Sequence, residues 1–481
     1  MASSSPSPQR SFEDKLRRFW IGLCVVVAGS LSLSQLLEIP HRSALRGYDN
    51  TFNYLWLRSA MVDHDWDFRN DLIACDTLQD EYRASALQLS LTKAGRIPNK
   101  YGIGWALLTL PFYVVADLLV GVGRAIGWWD FTHDGFNPVY QVCIQIGHTA
   151  LAVFAMVIAT RVISKWLQGS LNGRIPAQPT LARSHQNGEP TERLQGRDYD
   201  FIASSSVALT WAASSLVYYQ AVNVSMSHGA AFFAIVLMAY GLMRAVEMPS
   251  ASRWWWLTGA SFGLAVIVRY QLVLFALPLG LGLFGLRRDT AILRSALVFC
   301  VVGFAPFALL QCFAWHQVYG EWFVFGYGAE GEAFHWGKPA LVASLFSSWH
   351  GLFYWHPFLL VAAAGMIAWA VRVKREALAW SAAVGLMAYT NAAWWCWWFA
   401  SAFGNRGYDA ALLPLMAGTA WLLHELSKPA RLVLFAVAIA FGAWNFYVVV
   451  LFRSGAISRS ERVTWGQMIQ ASTALDEATR F

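Results

Sequence analysis

The chain consists of long apolar runs separated by shorter polar segments, and this alternation predicts its architecture. Many runs are about 20 residues long, which is the length that an α-helix needs to cross the hydrocarbon core of a bilayer. The pattern predicts eleven or twelve spanning helices, the larger number applying if residues 254–285 form two short helices that meet near Arg269. The predicted spans are 19–37, 103–121, 139–162, 201–219, 229–244, 254–285, 295–315, 352–371, 378–397, 409–426 and 432–452.

The composition agrees with this pattern. Of 481 residues, 57% are hydrophobic, 15% aromatic and only 14% charged, which is too apolar for a soluble protein. The 25 tryptophans suit the two membrane interfaces, where amphipathic rings collect. The sequence therefore predicts an all-α, polytopic, integral protein of the cell (inner) membrane. The net charge of +7 is spread over separate loops without a basic stripe, so nucleic acid is not an expected partner.

Basic residues are concentrated in loops that the positive-inside rule assigns to the cytosol. These loops are 161–197, 244–253, 287–294, 372–375 and 428–431, which leaves 38–100, 316–350 and 398–408 outside. One conflict arises, because two simple crossings between Lys100 and Arg161 would place the first basic loop outside. Either the segment 103–127 returns to its own side of the membrane, or the loop 163–200 departs from the rule.

These assignments divide the chain into three parts. They are a cytosolic tail at 1–18, a transmembrane domain at 19–452 and a C-terminal tail at 453–481. Within the transmembrane domain, we expect a long outer loop at 38–102, a cytosolic polar loop at 163–200 and a second outer loop at 316–350.

Aspartates follow the first predicted span in the loop that begins at residue 38. Asp49 is the first of them, and Asp63, Asp65 and Asp67 follow in the same loop. Glycosyl transfer needs a carboxylate that takes the proton of the acceptor, together with cations or a metal that stabilise the leaving phosphate. Because nucleotide sugars are absent outside the cytosol, the donor would have to come from the membrane lipid itself. An outer acidic loop on a many-helix protein is consistent with a polyprenyl-phosphate-linked sugar.

Four short sequence patches carry a family resemblance. They are Tyr48-Asp49, Arg58-Ser59 with residues 63–68, Asn99 to Gly102, and Phe403 to Arg406 before Asp409. Together with the layout of the chain, they resemble the GT-C superfamily, and within it the bacterial membrane glycosyltransferases related to the protein O-mannosyltransferase and aminoarabinose transferase group. The resemblance implies a GT-C-like fold, inversion at the anomeric carbon, and an acceptor hydroxyl or amine whose identity the residues leave open.

The resemblance implies that Asp49 is the catalytic base, because an aspartate early in the first outer loop is the family's signature position. The alternative is that Asp49 only caps a helix beginning at Asn50, since aspartate is a favoured N-cap residue. Many family members carry a second acid beside the first, whereas Asn50 stands there in this chain. Whether a divalent cation takes part is therefore left open.

Three basic residues are candidates for binding the donor phosphate. Lys100 stands at the mouth of a predicted span, where the resemblance implies a basic residue that contacts the donor phosphate. A lysine that merely snorkels to the interface is the alternative. Arg406 could bind phosphate as a planar fork or pair with Asp409 to hold its turn. Arg269 lies in an apolar stretch, where an ionisable group is costly and indicates function, unless it forms a structural pair.

Five weaker candidates for substrate binding complete the set. Tyr48 adjoins Asp49, and Asp65 and Asp67 form a D-x-D pattern that also suits a solvated turn. His228 and His350 lie near predicted outer helix ends, where a histidine is more often a satisfied interface residue. The sequence gives no metal-ligand spacing among them.

Two further classes of protein are alternatives. A transporter or flippase of lipid-linked sugar would need ionisable residues along a midplane path, for which Arg269, Asp117 and His148 are the candidates. A ligase that transfers a whole lipid-linked glycan would be expected to carry a larger outer loop late in the chain. The aromatic run 394–399 indicates an interfacial belt, with sugar stacking as the alternative.

Overall fold

The computed structural model describes residues 8–39, 45, 47–75, 80–172, 190–373 and 375–478. Within these residues the secondary structure is helical, and the only β-type pairing is an isolated bridge between Phe334 and Trp394. The prediction of an all-α protein is therefore confirmed. Residues 1–7 of the predicted N-terminal tail and residues 173–189 of the predicted polar loop lie outside the described residues.

Twenty α-helices follow one another along the described chain. They are α1 (Pro8–Glu38), α2 (Tyr48–Arg58), α3 (Phe68–Ala74), α4 (Asp80–Leu87), α5 (Gly104–Ala125), α6 (Pro138–Asn172), α7 (Pro190–Ala212), α8 (Leu216–Ala221), α9 (Ser227–Glu247), α10 (Ser252–Val268), α11 (Ala276–Gly285), α12 (Thr290–Tyr319), α13 (Gly326–Ala329), α14 (Leu341–Phe346), α15 (Leu352–Trp355), α16 (Phe358–Val373), α17 (Arg375–Ala393), α18 (Leu412–Glu425), α19 (Lys428–Ser454) and α20 (Trp465–Ala478). A π-helical segment (Ser59–Asp63) and two 3-10 segments (Tyr270–Phe275 and Arg406–Ala411) complete the set.

Six helices in the described part of the chain are long and apolar enough to cross a membrane. Two shorter apolar stretches, Tyr270–Gly285 and Phe358–Val373, accompany them. This supports the membrane class predicted from composition. The six are Arg18–Glu38, Gly104–Ala125, Pro138–Ser170, Ser227–Glu247, Thr290–Tyr319 and Lys428–Ser454.

The long helices run between two ends of the bundle. At one end, Ser164 Oγ donates to Asp200 Oδ1 at 2.6 Å, which joins the last third of α6 to α7. Lys165 Nζ lies 4.0 Å from Glu247 Oε1, so α9 also ends there. We call this the basic end, because Arg161 and Lys165 of α6 and Arg244 of α9 lie near it. At the opposite end, Asn50 Nδ2 of α2 donates at 3.0 Å to Asn223 Oδ1, which lies between α8 and α9. We call this the acidic end, because α2 carries Asp49.

Helix α5 covers the predicted span at 103–121 and is long and apolar enough to cross a membrane. Just before α5, Tyr101 accepts through its backbone oxygen from Trp56 Nε1 at 3.0 Å. Nine residues after the end of α5 at Ala125, the backbone oxygen of Asp134 accepts from Arg58 Nε at 3.0 Å. Both donors belong to the last turn of α2, so the segment after α5 returns to the end of the bundle at which α5 begins. Helix α6 therefore starts at the acidic end and runs to the basic end, in agreement with the charges of the later loops.

Several predicted spans need new boundaries. The span 201–219 is interrupted after Ala212, where Asn445 Nδ2 donates to the oxygens of Ala212 and Ser214 at 2.8 and 2.9 Å and so satisfies the carbonyls of the helix end. The span 352–371 is interrupted at Pro357, because proline cannot donate a helical hydrogen bond. The span 378–397 ends at Ala393. The predicted division near Arg269 is confirmed, since Arg269 is extended, with φ −151 and ψ 116.

The C-terminal tail folds onto the acidic end. The predicted boundary at 453 is close to the end of α19 at Ser454, and α20 follows. The backbone N–H of Val463 donates to Ser348 at 3.3 Å, and the Tyr447 hydroxyl donates to Met468 at 2.7 Å. The tail therefore helps to build the same end of the bundle as α2.

Candidate active site

Asp49 lies at the acidic end, in the first turn of α2. The helix is capped by the backbone of Gly47, whose φ of 81 suits glycine, and no side chain caps it. The alternative that Asp49 is an N-cap is therefore wrong. Instead, Asp49 Oδ2 accepts from Arg406 Nη2 at 2.5 Å and Oδ1 accepts from the Tyr101 hydroxyl at 2.5 Å. Its side chain is 29% exposed, so a substrate can still reach the carboxylate.

The charges around Asp49 keep its carboxylate ionised. Burial alone would raise the pKa of Asp49, but Arg406 and the Tyr101 hydroxyl, with smaller effects from Lys100 and Arg269, hold that pKa below its usual value. The same pairing raises the pKa of Arg406 against the opposite effect of burial. Asp49 is therefore a carboxylate at neutral pH, in the state that a proton acceptor needs.

Arg406 begins the 3-10 segment before α18. Its guanidinium lies 5.9 Å from the centroid of the Phe399 ring and bonds Asp49 rather than Asp409. The alternative that Arg406 pairs with Asp409 to hold the turn is therefore wrong. Asp409 accepts from Ser215 Oγ at 2.5 Å and lies 3.8 Å from His228 Nδ1.

Arg269 occupies the break between α10 and the 3-10 segment that follows it. Its Nη1 donates to His228 Nε2 at 3.2 Å and to Ser227 Oγ at 3.4 Å, both in the first turn of α9. Arg269 also lines a cavity of about 300 Å³ and a smaller gap beside it. The break in the helix thus places a cation at the wall of a cavity.

The cavity combines aromatic walls with a few polar groups. Its mouth is apolar, since Val273, Phe325 and Trp336 are each about half exposed, at 51%, 54% and 50%. The smaller gap shares Arg269 with the cavity and reaches Tyr101, the partner of Asp49. The cavity is lined by Arg269, Tyr270, Gln271, Val273, Phe325, Tyr327, Phe334, Trp336, Thr390, Asn391, Trp394 and Phe399. The arrangement suits an amphiphile with an anionic group at Arg269.

Lys100 has partners that the sequence did not indicate. Its ammonium bonds Glu332 and lies 3.3 Å from Glu330 Oε2. Three tyrosine rings surround it, with Tyr48 at 5.5 Å from the ring centroid. Burial raises the pKa of Glu330 in spite of the neighbouring lysine. Lys100 is thus not a snorkelling side chain, and its contacts hold the loop at 326–336, which carries Tyr327 of the gap lining.

The weaker candidates are dispersed. Asp65 is exposed and accepts from Ser59 Oγ at 3.0 Å, while Asp67 caps α3 by accepting from the backbone of Arg69 at 3.2 Å. His350 Nδ1 bonds the backbone oxygen of Trp398 at 2.8 Å, and burial lowers the pKa of His350 to about 4. None of these three candidates lines the cavity or the gap, whereas His228 contacts Arg269.

Asp117 and His148, the further candidates for a midplane path, lie away from the cavity. Asp117 bonds His133 Nδ1 at 2.8 Å, and His148 bonds Thr109 Oγ1 at 2.8 Å. Neither lines the cavity. Among the described residues, no group of three or more histidine, cysteine, aspartate or glutamate side chains is arranged to hold a metal ion.

Several residues of the site were missed. Three of them could have been found from the sequence. Tyr101 directly follows Lys100 in the resembling patch, and Glu330 and Glu332 form an acidic pair in the predicted outer loop. Tyr327 and Asn391 gave no such signal, because an aromatic or amide residue in an apolar region is usually structural.

Comparisons with known proteins do not identify the chain. No protein-family model matches it, and no curated protein sequence matches it significantly.

Proposed function

We propose that the chain is a membrane glycosyltransferase that moves a sugar from a polyprenyl-phosphate donor to an acceptor hydroxyl or amine, with Asp49 as general base. The observation that carries the proposal is the position of Asp49. It is an ionised, partly exposed carboxylate held by Arg406 and Tyr101, and Tyr101 lines the small gap whose wall, like that of the cavity, includes Arg269. A proton acceptor and cations at one site are what transfer from a phosphate leaving group requires.

The proposed reaction is a single displacement. The acceptor oxygen or nitrogen attacks the anomeric carbon and gives its proton to Asp49 as the new bond forms. The bond between that carbon and the phosphate oxygen breaks, and its electron pair leaves with the polyprenyl phosphate. Arg269 and Arg406 stabilise the charge on this leaving group, since a guanidinium binds phosphate as a planar fork. Inversion follows from the family resemblance.

The charges at the two ends of the bundle indicate how the donor reaches the site. The basic end carries the loops that the positive-inside rule assigns to the cytosol, so the acidic end faces away from it. There the donor has to arrive through the membrane lipid. The half-exposed apolar mouth of the cavity, at Val273, Phe325 and Trp336, supports entry of a prenyl chain from the bilayer. Lys100 is a further candidate for contacting the donor phosphate, if its glutamate partners release it.

Purified protein in proteoliposomes with a panel of radiolabelled polyprenyl-phosphate monosaccharides tests the proposal. Release of the sugar from its lipid, dependent on acceptor, is the expected result. Movement of intact donor across the bilayer without release would instead support the flippase alternative. Repeating the assay with EDTA and with added divalent cations decides whether a metal contributes, since the steps above use only side chains.

A further inference from the structure

The contact between Arg269 and His228 fixes the protonation state of the histidine ring. Arginine can only donate hydrogen bonds, so His228 Nε2, which lies 3.2 Å from Arg269 Nη1, must offer a lone pair. A neutral imidazole then carries its single proton on Nδ1. This nitrogen lies 3.8 Å from Asp409 Oδ2. The ring is therefore a directed acceptor for Arg269.

The groups behind His228 are arranged to keep it in that orientation. His228 is 2% exposed and its ring lies 4.9 Å from that of Tyr219, centroid to centroid. Asp409 is 1% exposed, and its Oδ1 accepts a hydrogen bond from the Ser215 hydroxyl. Its Oδ2 is buried and has no hydrogen-bond partner in the described part of the protein. The charged groups that face the ring are Arg269, Arg406 and Asp409.

Arg269 depends on this support for its direction. Its backbone is extended between two helical segments, and its only acceptors in the described structure are His228 and Ser227. An arginine side chain has several rotatable bonds, so losing an acceptor would free the guanidinium to leave the cavity wall. We infer that His228, oriented by Asp409, is a positioning residue that aims the Arg269 guanidinium at the phosphate of the lipid donor. The inference rests on the proposed function in assigning phosphate binding to Arg269.

The test measures binding of radiolabelled polyprenyl phosphate, without a sugar, to the purified full chain in detergent. Polyprenyl alcohol serves as the matched probe that lacks phosphate. His228→Phe keeps an aromatic ring against Tyr219 but removes the acceptor, and we expect roughly tenfold weaker binding of the phosphate with binding of the alcohol unchanged. His228→Gln retains an acceptor oxygen and should restore most of the affinity. A glutamine variant as weak as the phenylalanine variant would overturn the inference.

A double-mutant cycle tests whether His228 acts through Arg269. Arg269→Ala alone should weaken phosphate binding, and adding His228→Phe to it should cause no further loss, because the two changes remove the same contact. Additive losses would show that His228 acts independently of Arg269 and would contradict the inference. If His228→Phe does not elute as a folded monodisperse protein, Asp409→Ala takes its place in the cycle, with the same non-additivity expected.

This design separates the inference from the proposed function. Binding of sugar-free polyprenyl phosphate requires no turnover, so a non-additive cycle supports the role of His228 even if Asp49 proves dispensable for transfer. If transfer depends on Asp49 while the cycle is additive, the glycosyltransferase stands and the positioning role of His228 falls.

Discussion

Arg406 Nη2 lies 2.5 Å from Asp49 Oδ2, although the two residues are 357 positions apart in the sequence. The pair joins the first turn of α2 to the 3-10 segment that precedes α18. Because the pKa of Asp49 is lower in the fold than in the unfolded chain, the pair stabilises the protein above about pH 4, and this contribution is lost as the pH falls through the folded value.

Arg406→Gln should therefore change the pH dependence of transfer. Without the guanidinium, which lowers the pKa of Asp49, the effect of burial should raise that pKa. The acid limb of the pH profile, where the transfer rate falls because Asp49 is protonated, should therefore lie at higher pH than in the wild type. Loss of a charged donor at the leaving group should also lower the rate by about 100-fold. Transfer rates measured between about pH 4 and 8 check both effects.

Arg453→Gln is the matched control for this variant. Arg453 pairs with Glu38 at 2.5 Å, also at the acidic end, but lines neither the cavity nor the gap. Its pH profile should equal that of the wild type. An unshifted acid limb in Arg406→Gln would contradict the electrostatic account of Asp49.

Lys100→Met should destabilise the loop at 326–336. It leaves Glu330 and Glu332 close together without their shared cation, which we expect to cost about 3 kcal/mol of unfolding free energy. Chemical unfolding in detergent measures the loss, and Lys100→Met with Glu332→Gln should recover part of it. If the double variant also regains transfer, Lys100 serves to hold the loop; if transfer stays low, Lys100 contacts the donor phosphate. A single variant as stable as the wild type would count against the ion cluster.

Val273→Trp should obstruct the mouth of the cavity. Val273 is 51% exposed, so a larger side chain there need not disturb the core. We expect the KM for the lipid donor to rise about tenfold, at a cost of roughly 1.4 kcal/mol in binding. Val342→Trp is the control, because Val342 is 75% exposed and lies outside the cavity lining. An unchanged KM in Val273→Trp would show that the donor enters elsewhere.

The sequence pattern predicted the helices better than the contacts between them. An apolar run of about 20 residues has few stable alternatives to a helix, and this is why the predicted spans fall on helices. The path of the chain after α5 was not predicted, because length and hydropathy do not show to which end of the bundle the segment that follows a helix returns.

The candidate residues of the site came from two kinds of reasoning. Arg269 stood out because a charge is rare in an apolar run, whereas Asp49, Lys100 and Arg406 lie in the patches that carry the family resemblance. The Arg406–Asp49 pair could not be predicted, since no local pattern encodes a contact between residues 357 positions apart. Glu330 and Glu332 were visible as an acidic pair in the predicted outer loop, but no local pattern indicated that both contact Lys100.

Gly407→Ala should distort the turn that carries Arg406. An added Cβ would lie 2.3 Å from Phe399 Cζ and 2.9 Å from Asn391 Nδ2, so the ring or the turn must shift. We expect a loss of about 2 kcal/mol in stability, measured by unfolding in detergent, and lower transfer. Gly385→Ala in α17 meets nothing within 4 Å and should be neutral or slightly stabilising. Equal behaviour of the two variants would contradict the close packing around Gly407.

The most direct test of the central claim is the transfer rate of Asp49→Asn in the proteoliposome assay. Asparagine keeps the size of the side chain and one oxygen facing Arg406 but cannot take a proton. Glu81→Gln, an exposed change in the same loop, is the control and should transfer at the wild-type rate. We predict that Asp49→Asn folds, still binds polyprenyl phosphate and loses transfer by at least about 100-fold. A rate for Asp49→Asn equal to that of the wild type would contradict the assignment of Asp49 as the base.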